Sequence, residues 1–409
     1  PPINNLKHNS AGCRLEVRSR RLGVFDSIKP QYRQELFEES GGHPYVVKML
    51  LGALERGKPA KKVKRVLAKR DEILPALFER TYAGLSAASQ RIFLTLSNWN
   101  STIPLVAIHA AMLRSREIID VDAAVDELAR NSLIETSESD IGHHIFVSVP
   151  ITAQMFGKRK LTVSSRRSTI EADIEFLRRF GPGGQTGVRK GLEPKLGRYL
   201  KSISKDIDSG RYSLDEAIPI LEYLARQAPR FWGNIASFYE ENRPVSWARK
   251  AMRCMQEYIV SLDDEEDSPQ KREELVSAWK RLADLSEAAR NVRAELNAIL
   301  GLVRVKGLEF FELSNAANRF NSRLANFRFT IEPEEKHILA RELASTMSQR
   351  VVEATATDLS RLAWVYMHLG DNETAKTYTL RGLEKDPSNN FCGKLFERLE
   401  IPPRERPYV

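Results

Sequence analysis

Residues 39–54 read Glu-Ser-Gly-Gly-His-Pro-Tyr-Val-Val-Lys-Met-Leu-Leu-Gly-Ala-Leu. Two glycines and a proline end one helical pattern and open another. Gly41 and Gly42 tolerate the left-handed backbone that stops a helix. Pro44 has its φ preset for a first helical turn. Beyond it, Val47, Leu50, Leu51 and Leu54 recur on one helical face. Taken alone, the stretch is a helix–turn–helix corner. The segments around it decide how it is read.

Upstream, residues 1–28 are irregular, with a short strand suggested by Leu15, Val17 and Val24. Helical patterns cover 31–40, 44–56, 60–68 and 73–83, and residues 1–84 together read as a helical bundle. The rhythm then changes. A helix at 86–99 has Ser86 as N-cap and turns Ile92, Phe93 and Leu96 inward. A second, at 104–113, opens on Pro104. A third, at 120–131, buries Val121, Val125 and Leu128. Strands at 133–136 and 145–149 flank a turn at 137–142. Three helices and then a hairpin describe a winged helix over 85–160, and another helix starts at 151–156.

Residues 161–194 read as a basic, glycine-rich linker, with 181–187 a hinge and not a phosphate-binding loop, because no Gly-Lys-Ser/Thr comes after it. From 195 to 395 the chain is helical and repetitive, and 396–409 is a tail. The clearest unit is 359–387. Leu362, Ala363, Tyr366, Gly370, Ala375, Gly382 and Pro387 fall at tetratricopeptide spacing, a period of about 34 residues. Ala363, Ala375 and Gly382 are small enough for close helix packing, Gly370 makes the turn, and Pro387 ends the second helix. The run 215–229 resembles the second helix of another such repeat, and 231–241 with 245–261 the next pair. Long helices are expected at 275–302 and 334–353, and an acidic loop at 263–270. The fold class is therefore mainly α: a small bundle, a winged helix with a short β-hairpin, and an α-solenoid of TPR-like pairs. Such an array buries its core between neighbouring repeats and offers a concave face to a partner.

In this context Gly42-His43-Pro44 resembles the Gly-X-Pro element of STAND-class signalling NTPases, the NB-ARC and NACHT group. The order of bundle, winged helix and repeats is similar to that family's. The resemblance implies that Pro44, with His43 and Gly42 beside it, lies on the adenine side of a nucleotide site. Val149 stands where many members carry a histidine that touches the β-phosphate of ADP; His143 and His144 lie upstream in the wing. No Gly-x4-Gly-Lys-Ser/Thr occurs in the chain. The resemblance therefore implies the C-terminal, regulatory part of a longer protein whose P-loop and effector domains lie N-terminal to it. ATP or ADP with Mg is the expected cofactor of the full-length protein, and none is expected for this chain alone, which is not expected to be an enzyme. The family implies a protein trigger bound by the repeats, homo-oligomerisation, effector activation, and, by analogy with bacterial members, anti-phage defence with a phage protein as trigger.

Composition agrees with an ordinary globular chain: 409 residues, 42% hydrophobic and 29% charged. No apolar run approaches the ~20 residues of a membrane span. Three scattered cysteines, Cys13, Cys254 and Cys392, form no CxxC pair, which fits a reducing cytoplasm and indicates neither a disulfide frame nor a zinc site. The net charge of +9 leaves nucleic acid open as a partner. The winged helix argues against it. Its third helix, which would enter the major groove, carries Asp120, Asp122, Asp126 and Glu127 against Arg130. The basic run 56–70, Lys158–Lys160 and Arg166-Arg167 read as solvated faces, Glu265-Glu266-Asp267 as a solvated loop, and the aromatics of the second half as core. Two alternatives stay open: a TPR-type scaffold without a nucleotide switch, and part of a STAND-like transcription regulator.

Overall fold

The computed structural model describes residues 44–55, 73–99, 101–115, 117–140, 142–181, 191–326 and 332–403. Gly42, His43, the helices expected at 31–40 and 60–68, the basic run 56–70 and most of the glycine-rich hinge lie outside them. The described residues form eighteen helices and one three-stranded sheet, so the fold is mainly α. The chain divides at Gln227/Ala228 into two compact units.

In the first unit, α1 (Pro44–Glu55) starts at Pro44, and Val47 and Leu51 are buried as the periodicity requires. α2 (Ile73–Ala83) is next. α3 (Ala87–Ser97) is capped by Ser86, whose side chain accepts from the Ser89 amide. A short strand, β1 (Ile103–Pro104), then leads into α4 (Leu105–Arg114). α5 (Val121–Arg130) has Asp120 as N-cap. β2 (Glu135–Glu138) and β3 (Ile145–Ser148) complete an antiparallel sheet of order β1-β3-β2. Helix, strand, two helices and a hairpin around a core of Ile92, Phe93, Ile108, Leu128 and Phe146 make the winged helix.

The first hairpin strand begins two residues later than the expected 133–136. Leu133 and Ile134 are buried but not in the ladder. Leu133 instead closes α5: its amide bonds the Leu128 carbonyl at 3.0 Å and the Ser132 amide bonds Ala129 at 2.9 Å, with Ser132 at φ 60°. This is a Schellman ending with Leu133 and Leu128 as its apolar contact. The paired strand itself, Glu-Thr-Ser-Glu, is exposed throughout. The strand β1, which sequence reading leaves out, is only two residues long.

β3 runs through Val149 and Pro150 into α6 (Ile151–Thr162). The segment read as linker contains a helix, α7 (Arg167–Arg178), that buries Ile170, Ile174 and Leu177. α8 (Glu193–Asp208) and α9 (Leu214–Gln227) close the unit. Lys195 ties α8 to the winged helix: it is 2% exposed and its Nζ donates to the Thr102 carbonyl at 3.3 Å. Burial, and then the neighbouring Arg198, push its pKa down to about 8 from 10.5. The folded state therefore binds fewer protons than the unfolded chain between these values, and stability rises as pH increases through that window. Replacing Lys195 by Met is expected to raise stability at pH 7 by about 2 kcal/mol. It should also flatten the pH dependence of the denaturant midpoint between pH 8 and 10.5.

The second unit opens on a 3₁₀ turn, Pro229–Phe231, and continues as α10 (Trp232–Asn242), α11 (Trp247–Asp263), α12 (Pro269–Ala288), α13 (Val292–Val303), α14 (Phe310–Asn326), α15 (Pro333–Gln349), α16 (Ala356–Leu369), α17 (Asn372–Lys385) and α18 (Asn390–Arg398). Each helix packs on the next in sequence. The single helix expected over 275–302 is two. Arg290 at φ 55° ends α12, and Asn291 caps α13 by accepting from the Ala294 amide. A break without glycine or proline leaves little trace in sequence. α14 was not expected as a helix, and its Phe311 is exposed, not core.

The repeat over 359–387 is built as its spacing requires. Gly370 ends α16 at φ 77°, a backbone that glycine adopts without penalty. Thr355 and Asp358 form a capping box at its start. Leu362, Ala363 and Ala375 are buried, Tyr366 stacks on Tyr378 with ring centres 5.5 Å apart, and Pro387 lies just past the Asp386 cap of α17. Gly382 serves the next helix as well as its partner. A Cβ there would meet Cys392 Sγ on α18 at 2.4 Å and the Ala356 carbonyl at 3.3 Å. Cys254 and Cys392 are buried.

Candidate functional site

The helix that begins at Pro44 is docked on the winged helix. Tyr45 Oη donates to the Ser132 carbonyl at 2.6 Å. Lys48 Nζ pairs with Glu135 at 2.8 Å. Ser132 Oγ, in turn, donates to the Lys48 carbonyl at 3.4 Å. The Schellman turn after α5 thus receives α1 directly. Burial, then the Glu135 charge, raise the Tyr45 pKa, so the phenol stays protonated and can donate. A seam of aromatic rings continues from this contact. Tyr45 meets Phe78 at 5.7 Å, Phe78 stacks on Phe156 at 5.2 Å, and Tyr82 lies edge-on to Phe156. Such pairs add about 0.5–1.5 kcal/mol each beyond area burial, and together they join α1, α2 and α6. Beside the seam lies a cavity of about 430 Å³ lined by Phe78, Met155, Phe156 and Val163, with Glu79 and Lys160 paired across 2.6 Å.

Of the residues expected at a nucleotide site, Pro44 is the first residue of α1; Gly42 and His43 lie outside the described residues. Val149, expected at the position of a nucleotide-touching histidine, is buried between β3 and α6. His143 is exposed in the wing and pairs with Glu138 at 2.7 Å.

Three of the four acids at α5 are engaged within the domain. Asp120 caps the helix. His109 Nε2 lies 3.0 Å from Asp122. Glu127 accepts from Ser86 Oγ at 2.8 Å and Ser89 Oγ at 2.5 Å, which ties α5 to the start of α3. On α5 itself only Arg130 opposes these acids, so the helix does not complement a row of phosphates.

Behind α3 lies an ionic node that sequence reading missed. Arg91, whose side chain is 1% exposed, places Nη2 2.7 Å from Asp173 on α7 and Nη1 2.8 Å from Glu117. Arg114 of α4 adds a contact to Asp173 at 2.9 Å. The amphipathic spacing of Ile170, Ile174 and Leu177 around Asp173 was the available signal.

Among the described residues no group of three or more His, Cys, Asp or Glu could hold a metal ion. No helix among them is long and apolar enough to cross a membrane.

No family model and no curated protein matches the sequence. Among solved structures, the chain is similar to a Signal Transduction ATPase with Numerous Domains (STAND) protein with a tetratricopeptide repeat sensor from Pyrococcus horikoshii. The identity is 14% and the TM-score 0.27, over 92% of this chain and 55% of that one. The chain thus spans about half the length of that protein. A TM-score this low carries no functional weight, so function rests on the residues themselves.

Proposed function

We propose that this chain is the regulatory and sensor portion of a STAND-class switch NTPase. The observation that carries the reading is the docking of the Pro44 helix onto the winged helix through Tyr45 and Ser132. In this reading, an upstream P-loop domain holds ATP or ADP with Mg, and Pro44 backs the adenine. The aromatic seam makes α1 and the winged helix move together, so a nucleotide-dependent shift at Pro44 reaches the rest of the unit. The helix pairs bind a protein trigger, and trigger binding favours an open state that oligomerises and activates an effector. Defence against phage is the biological setting the family suggests, by analogy.

The acidic α5, with three of its four acids bonded within the domain, favours a winged helix that packs and switches over one that reads DNA, and so weighs against a transcription regulator. A plain repeat scaffold is separated from the switch by one substitution. In the intact protein, Pro44→Gly is expected to weaken ATP binding and trigger-dependent assembly together; a scaffold would show neither change.

A further inference from the structure

The cavity beside the aromatic seam is a groove between α2 and α6. Pro75 and Phe78 line it from α2, Met155, Phe156 and Arg159 from α6, and Val163 from the C-cap of α6. Its apolar rim faces outward. Met155 is 56% exposed and Val163 77%, and Ile151, four residues before Met155 and on the same helix face, is 76% exposed. From Ile151 to Val163 the strip runs about 18 Å at roughly 1.5 Å per residue. Clustered apolar exposure with a charged border marks a surface that something covers.

Connectivity and charge point to the occupant. Two stretches outside the described residues adjoin this corner: 31–43, which ends at Pro44, and 56–72, which links α1 to α2. The first ends beside the groove. Tyr45, one residue past Pro44, has its ring 5.7 Å from Phe78, which lines the cavity. Residues 41–43 alone separate Ser40 from Pro44, a reach of at most about 14 Å. Residues 31–40 read Gln-Tyr-Arg-Gln-Glu-Leu-Phe-Glu-Glu-Ser. Their helical pattern sets Tyr32 and Leu36 on one face with Phe37 next to it, over a length of about 15 Å. That length matches the strip. Three glutamates against Arg33 give these residues a net charge of −2. The charged groups lining the groove are Glu79, Arg159 and Lys160. Glu79 and Lys160 pair with each other at 2.6 Å. Arg159 has no ion pair among the described residues, so it is the cation open to an incoming carboxylate. The stretch 56–72 carries eight cations against two acids, and like charge sets it against Arg159.

We propose that residues 32–39 of this chain occupy the groove between α2 and α6, with Tyr32, Leu36 and Phe37 against Phe78, Met155 and Val163 and a glutamate paired with Arg159. The groove is then an intramolecular docking site. The Gly41-Gly42-His43 connection is held from both sides, by residues 32–39 on α6 and by Tyr45 on Ser132. A tether this short gives the stretch a local concentration on the order of millimolar. The proposal goes beyond the nucleotide reading and does not depend on it, because a switch and a scaffold can both carry such a contact.

The test is site-directed cross-linking in the full 409-residue chain with Cys13→Ser, which leaves two buried cysteines, Cys254 and Cys392. Leu36→Cys is combined with Met155→Cys, or with Ile118→Cys as a fully exposed control in the same unit. A short bismaleimide at low protein concentration is expected to join positions 36 and 155 within one molecule at least about tenfold faster than positions 36 and 118. Arg159→Glu should slow the first link about threefold. Leu36→Asp gives a readout without introduced cysteines: amide exchange over residues 151–163 should rise about tenfold, with α16 unchanged. A link to position 155 no faster than to 118 overturns the proposal, as does one indifferent to Arg159→Glu. A link formed only between molecules overturns it in favour of a second copy. Unaltered exchange over 151–163 in Leu36→Asp overturns it as well. Pro44→Gly tests the nucleotide reading separately, and its result leaves the cross-linking outcome untouched.

Discussion

Asp173→Ala is expected to cost about 3–5 kcal/mol of stability, among the largest effects available from one side chain in this protein. Asp173 is fully buried and accepts from Arg91 Nε at 2.8 Å and from Arg114 at 2.9 Å. Arg91 is itself almost fully buried. Removing the carboxylate leaves a guanidinium in the interior with only Glu117, half-exposed, as counter-charge. The loss should appear as a lower denaturant midpoint of the full chain. Replacing both partners, Arg91→Met with Asp173→Leu, should recover most of it, because two apolar groups carry no desolvation cost. A loss below about 1 kcal/mol for Asp173→Ala would mean that water or another acid reaches Arg91.

Gly157→Val is the second large effect. Gly157 of α6 faces α3, and a Cβ there would stand 2.0 Å from Ser97 Oγ and 2.3 Å from its Cβ. No rotamer removes a clash with a Cβ, so the two helices must separate. Overpacking of this kind costs about 1–3 kcal/mol, and a β-branched residue on a helix face belongs at the upper end. Ser97→Gly in the same chain should return at least about 1 kcal/mol as a coupling energy. Additive losses would show that α6 meets α3 elsewhere. The effect bears on function because Phe156, next to Gly157, closes the aromatic seam to α1.

Much of this architecture was legible in the residues. Pro44 opens a helix, Ser86 and Asp120 cap theirs, and Gly370 turns a repeat; each is a local rule whose physics needs no tertiary partner. The parts that escaped are those that depend on tertiary contacts. Leu133 has the composition of a strand, yet it is buried while its amide closes α5 on the Leu128 carbonyl. Arg290 breaks a long amphipathic run because Asn291 can cap α13. α7 was hidden in a stretch read as linker, although Ile170, Ile174 and Leu177 spell its buried face. The candidate site divides in the same way. Pro44 and the acidic α5 could be picked out residue by residue. Tyr45 reaching Ser132, Asp173 reaching Arg91, and the groove between α2 and α6 join residues far apart in sequence, and only packing reveals them.

The most direct test of the central claim is the ATP affinity of the intact protein with Pro44 and with Pro44→Gly, measured beside trigger-dependent assembly. Losing an apolar contact of about 1 kcal/mol lowers affinity about fivefold. The account predicts a loss of at least that size, with assembly shifted in step. Unchanged affinity and unchanged assembly would contradict it and remove the nucleotide switch from this chain.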